Sequence, residues 1–151
     1  MNTEQTATDK KMKTMTIELT RVDDAFHFEA ASAAGVSVHL DGAPDIGGHN
    51  AGARPMELLL MGLAGCSAID VVLILQKQRQ RIDEFRITVE GDRAADVTPA
   101  PFEDIRLHYY LKGDISEEKA RRAIDLSMDK YCSATAQLRP TSRISYELTL
   151  L

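Results

Sequence analysis

An α+β fold is predicted for this chain, on three features of its sequence. Six short segments alternate apolar and polar residues with period two, the pattern of strands that bury one face and wet the other. One run, Leu58–Leu75, is apolar around nearly its whole circumference and long enough for a central helix. A third segment, past Asp114, carries a helix start signal followed by an apolar stripe. Three strands, a long helix, two strands, a helix and a last strand describe a sandwich in which helices cover the apolar faces of sheets.

The first three strands are read at Met15/Ile17/Leu19, Phe26/Phe28/Ala30 and Val36/Val38/Leu40. Antiparallel pairing is expected among them, because the connections are too short for helical crossovers. The long helix begins near Pro55, whose missing N–H has no partner to lose in a first turn. It runs to about Arg81, with a break admitted around Gly62–Gly65 that would put Cys66 near a helix start. The fourth and fifth strands follow at Phe85/Ile87/Val89 and Ile105/Leu107/Tyr109/Leu111, again antiparallel. Asp114 or Ser116 caps the second helix, Glu117 and Glu118 sit in its first turn, and Ala120, Ile124, Ser127 and Tyr131 share one face. Ile144/Tyr146/Leu148/Leu150 form the last strand.

The 151 residues are expected to form a flexible tail over residues 1–13 and a single domain over residues 14–151. With 44% apolar and 27% charged residues the chain is able to bury a core. Its 18 basic and 23 acidic residues leave a net charge of −5 with no basic run, so nucleic acid is not an expected partner. The opening MNTEQTATDKKMK has no apolar region of the secretory kind. Leu58–Leu75 approaches the length of a membrane span but carries Asp70, a costly charge in lipid, so it is read as a buried helix with no membrane partner. Cytoplasmic residence is the expectation. A single helix on a sheet needs only an apolar stripe, so the second apolar face of this one calls for a partner chain, and a homodimer is predicted.

Two cysteines, Cys66 and Cys132, are the only ones present, without a C-x-x-C or Cys/His cluster. A disulfide scaffold and a structural zinc site are therefore not expected. Cys66 stands where a helix dipole would favour a thiolate, and Cys132 closes the second helix. Asp70 lies at i+4 from Cys66, near enough to raise its pKa if both face one cavity. His27 and His39 fall on polar strand faces, and His49 and His108 have no partner at ligand spacing, so no metal is expected. The loop holding Gly47, Gly48 and Gly52 lacks the lysine and hydroxyl of a phosphate cradle and is read as mobile.

The stretch G-A-R-P-M-E-L-L-L-M-G-L-A-G-C-S-A-I-D-V-V from Gly52 to Val72, with K-Y-C-S-A at Lys130–Ala134, resembles the OsmC/Ohr family, and within it the YhfA-like branch. The resemblance runs from Met15 to Leu151. It implies an OsmC-like intertwined homodimer, with antiparallel sheets wrapped around two central buried helices and active sites at the dimer interface. It also implies a cofactor-free thiol peroxidase that reduces an organic hydroperoxide and is recycled by a dithiol reductant. By motif, Cys66 matches the peroxidatic cysteine, which becomes a sulfenic acid, and Cys132 the resolving cysteine. The family also uses an arginine and a glutamate to hold the thiolate and polarise the peroxide. Its glutamate directly follows the helix-opening proline; here that place is Met56, and Glu57 is the candidate one position later. Its arginine follows the first strand, which points to Arg21, in a turn TRVDD without the family's glycines; Arg54 is a rival. Two other readings stay open: a non-enzymatic dimer that senses redox state or binds a small apolar ligand, and a purely structural dimer.

Overall fold

The computed structural model describes residues 10–151, so residues 1–9 of the expected tail lie outside the described residues. The described chain divides into two compact units that meet in sequence at Pro55 and Met56.

The first unit is a three-stranded meander of β1 (Ile17–Arg21), β2 (Phe28–Ser32) and β3 (Ser37–Leu40). Both pairings are antiparallel, as the short connections require, with Leu19 opposite Ala30 and Ala30 opposite Val38. The expected alternation of burial is absent: Ile17 and Leu19 are 63% and 56% exposed, and Val36 and Val38 are exposed as well. Past β3, the buried Asp41 accepts backbone N–H bonds from Gly42 (2.7 Å), His49 (3.0 Å) and Ala51 (3.0 Å). These donors, the Ala51 N–H foremost, hold its carboxyl below the usual carboxylate range. They also pin the glycine loop that the sequence reads as mobile. Gly48 is obligatory in it, because a Cβ there would sit 1.8 Å from the Gly42 carbonyl oxygen.

The second unit is built on α1 (Pro55–Lys77), β4 (Arg81–Arg93), β5 (Phe102–Asp114), α2 (Glu117–Leu126), α3 (Ser133–Leu138) and β6 (Arg143–Leu150). β4 and β5 form a long antiparallel hairpin. β6 departs from the expected antiparallel pairing and lies parallel to β5, because the helical crossover through α2 and α3 brings the chain back to the same end of the sheet. Ile105, Leu107, Tyr109 and Leu111 alternate along β5 and are at most 1% exposed. Leu63, Val71 and Leu75 of α1 and Ala120, Ala123 and Ile124 of α2 complete the core, each large side chain worth about 1.5–3 kcal/mol over an exposed position. Ser116 caps α2, its hydroxyl accepting the Lys119 N–H at 3.3 Å.

Helix α1 differs from its prediction at two places. It is unbroken through Gly62 and Gly65, so Cys66 lies in mid-helix and has no free helix-end N–H groups beside it. It also ends at Lys77 rather than Arg81: Arg79 takes φ 56°, its N–H bonds the Gln76 carbonyl, and the Gln80 N–H bonds that of Leu75. This is a Schellman stop made by an arginine where a glycine is usual. Around the helix, Leu63, Ser67, Val71 and Leu75 make one buried row, while Leu59, Met61, Ile69 and Leu73 are 45–64% exposed. By length and composition α1 would cross a bilayer, yet its buried row makes it the core helix of this unit.

Candidate functional site

α1, β5 and the connection between α2 and α3 converge on one cluster within the second unit. Counting at 100° per residue, Cys66 and Asp70 stand on the border between the buried row of α1 and its exposed arc. Cys66 is half-buried, whereas Cys132 is only 3% exposed.

The other cysteine is delivered by an irregularity. After Leu126 the α-helix widens into a π-helical turn, Ser127–Tyr131, closed by the Cys132 N–H on the Ser127 carbonyl at 2.7 Å. The wider turn rotates the following residues, so Tyr131, expected on the buried face, is 51% exposed while Met128 is buried. Cys132 then caps α3, its sulfur accepting the Thr135 N–H at 3.3 Å. The sequence signal for α3 was absent, since no charged first turn precedes it and Cys is a rare cap.

The Sγ atoms of Cys66 and Cys132 and a carboxylate oxygen of Asp70 all lie within 4.8 Å of one another. Burial pushes the Cys132 thiol up, and the neighbouring Cys66 adds to that push. Thiolate and carboxylate donors are ones zinc accepts, and among the described residues this is the one group of three such donors close enough to share an ion.

Behind the sulfurs runs a chain of hydroxyls. Ser127 Oγ is 3.0 Å from Asp70 Oδ2 and 3.1 Å from Ser67 Oγ, and Ser67 Oγ is 2.5 Å from Tyr109 Oη. Each hydroxyl has one proton, and an ionised carboxylate only accepts. Ser127 is therefore the donor to Asp70 and shares its one proton with Ser67, while between Ser67 and Tyr109 either hydroxyl can donate. Ser67, Ser127 and Tyr109 are fully buried, and burial pushes the Tyr109 phenol up to about 12, which keeps it a donor at neutral pH. Its ring is held edge-on by Phe85 and Tyr146 at 6.5 and 5.9 Å. Sequence reasoning missed this chain because its members are 42 and 60 positions apart.

On the solvent side of Asp70 opens a cleft of about 350 Å³, lined by Leu73, Ile74, Lys77, Leu126 and Tyr131 among others. Of the remaining site candidates, Glu57 lies in the first turn of α1, nine residues before Cys66 and so half a revolution away around the helix. Arg21 ends β1 in the first unit, where its guanidinium donates to the carbonyls of Asp24 and Ala25, the latter at 2.9 Å. Arg54 donates to the Gly52 carbonyl at 3.3 Å and to the Asn50 side chain. His27, just before β2, and His39 of β3 share a 2.8 Å hydrogen bond.

Comparison with known proteins places these features in a family. Protein YhfA of Escherichia coli K12 is 39% identical over 127 residues, covering 80% of this chain and 89% of its own. A hypothetical protein from Aquifex aeolicus superposes with a TM-score of 0.77 at 31% identity, over 93% of this chain and 99% of that one. An organic hydroperoxide resistance protein from Elizabethkingia anophelis shares the fold, with a TM-score of 0.72 at 17% identity over 94% and 99% of the two chains. The family model of OsmC-like proteins matches residues 48–147, and with the YhfA relatives it makes this chain a member of the OsmC family, in its YhfA-like branch.

Proposed function

We propose that the chain is a cysteine-dependent hydroperoxide reductase. The observation that carries this reading is the meeting of Cys66 and Cys132, from distant parts of the chain, within 4.8 Å. The half-buried Cys66 is the nucleophile and the buried Cys132 the resolving thiol. The Cys66 thiolate attacks the O–O bond, the sulfur takes one oxygen as a sulfenic acid, and the departing alkoxide takes a proton to leave as an alcohol. Cys132 then displaces hydroxide from that sulfur, giving a disulfide and water, and a dithiol reductant reopens the disulfide. The cleft beside Asp70, walled by Leu73, Ile74 and Leu126, suits an organic peroxide better than hydrogen peroxide. Resemblance to an organic hydroperoxide resistance protein supports the same substrate class.

The reading includes a homodimer over a single domain, residues 14–151, in the cytoplasm, where thiols are kept reduced. The exposed arc of α1, Leu59, Met61, Ile69 and Leu73 with Gly62 and Gly65 between them, packs against its copy in this account. Arg21 and Glu57 supply the activating cation and carboxylate. Because Glu57 is half a turn away from Cys66 on its own helix, it serves the sulfur of the second chain.

The test is turnover: with dithiothreitol as reductant, the wild type converts cumene hydroperoxide to its alcohol and Cys66→Ser does not. Turnover undiminished in Cys66→Ser would overturn the reading. A redox sensor of the same fold would form the disulfide once and show no sustained turnover.

A further inference from the structure

We propose that Asp70 is the acid–base group of the disulfide-forming step, taking the proton of the Cys132 thiol and returning it to the hydroxide that leaves Cys66. The inference rests on the thiol chemistry proposed above and adds a residue to it. In that step the Cys132–Cys66 S–S bond forms and the Cys66 S–O bond breaks. Cys132 is oxidised, the sulfenic sulfur is reduced, and the single proton lost by the thiol ends in the water released. No outside oxidant or base is needed, provided one group reaches both sulfurs.

Asp70 alone meets that condition among the described carboxylates and imidazoles, since its oxygen is within 4.8 Å of both Sγ atoms, a separation closed by a small movement or one water. Cys132 is the thiol that needs a base. It is 3% exposed, so bulk water is kept from it, and burial holds its proton on. The Thr135 N–H already occupies the acceptor side of its sulfur.

The hydroxyl chain explains how Asp70 is kept in position. Ser127 donates to Oδ2 and is itself held against Ser67, which Tyr109 holds in turn, so the hydroxyl that fixes the carboxylate is anchored in the core. Oδ2 is thereby engaged by Ser127, while a carboxylate oxygen stays within 4.8 Å of both sulfurs. A carboxylate held this way does not rotate away between accepting a proton and giving it back.

The experiment separates the two chemical steps. Reduced wild type, Asp70→Asn and Ser127→Ala are mixed with one equivalent of cumene hydroperoxide and quenched over time. Dimedone traps the Cys66 sulfenic acid, and mass spectrometry counts adduct and disulfide. Once its sulfenic acid has formed, Asp70→Asn is expected to close the disulfide about 100-fold more slowly than the wild type, the usual weight of general acid–base catalysis. Ser127→Ala is expected to slow closure by about tenfold, through loss of one hydrogen bond to a charged group. Disulfide closure at the wild-type rate in Asp70→Asn overturns the inference and leaves the peroxidase reading standing. Wild type that forms neither adduct nor disulfide overturns both. If Asp70→Asn also loses the first step, Ser127→Ala decides, with unchanged closure counting against Asp70.

Discussion

The two units of the chain use the same alternation of apolar and polar residues to opposite effect. Along β5, Ile105, Leu107, Tyr109 and Leu111 vanish from solvent under α1 and α2, while along β1 and β3 Ile17, Leu19, Val36 and Val38 stay exposed. Period two tells which residues share a face, but only a covering layer turns that face into a core. The C-terminal unit contains its cover, and it is also where the sulfurs are brought together. In the N-terminal unit the buried group is instead a carboxylate, Asp41, which organises a loop through backbone donors.

That contrast is open to direct tests. The largest effect is expected in the C-terminal core, where Leu111→Ala should lower unfolding stability by about 2–5 kcal/mol in urea titrations. The matching Val38→Ala in the N-terminal sheet should cost about 0.5 kcal/mol or less if that face stays wet. A cost above about 2 kcal/mol that shrinks on dilution would show a second copy covering it. Ile69→Asp, on the exposed arc of α1, should convert a dimer to monomers in sedimentation while leaving the C-terminal core intact; an unchanged sedimentation coefficient would move the interface elsewhere.

A smaller effect than the core truncation is expected at Tyr109. Tyr109→Phe removes the hydroxyl partner of Ser67 and should cost about 1 kcal/mol. It should also change the alkaline limb. The phenol ionises at about 12 in the folded chain against 10 when unfolded, so its contribution is complete below pH 10 and is lost as pH rises toward 12. Tyr146, also pushed up to about 12 by burial, shares that window, so Tyr109→Phe should flatten the decline between pH 10 and 12 without removing it. An identical alkaline profile would deny Tyr109 this role.

Much of this architecture was legible in the chain itself. Six alternating segments became six strands, Ser116 became a cap, and the Cys66 and Cys132 sulfurs lie within 4.8 Å of each other. The misses have physical reasons. Helix α1 stops without a glycine because Arg79 accepts a left-handed conformation, which composition does not announce. The apolar run around Gly62 and Gly65 continues as helix because flanking leucines and alanines outweigh the cost of glycine there. The parallel pairing of β6 depends on the length and course of the α2–α3 crossover rather than on any residue in the strand. Serines and a tyrosine at positions 67, 109 and 127 read as ordinary polar residues until the fold joins them. Asp70 was visible by its i+4 spacing from Cys66, but its approach to Cys132 was not, since a π turn sets it.

The central claim is that Cys66 and Cys132 form a working redox pair, and the most direct measurement is a disulfide map of the protein after one equivalent of cumene hydroperoxide. Proteolysis under acid quench followed by mass spectrometry should recover a peptide that joins Cys66 to Cys132, and Cys132→Ser should leave a trappable sulfenic acid on Cys66 instead. Wild-type protein whose two thiols remain reduced after that treatment would contradict the account.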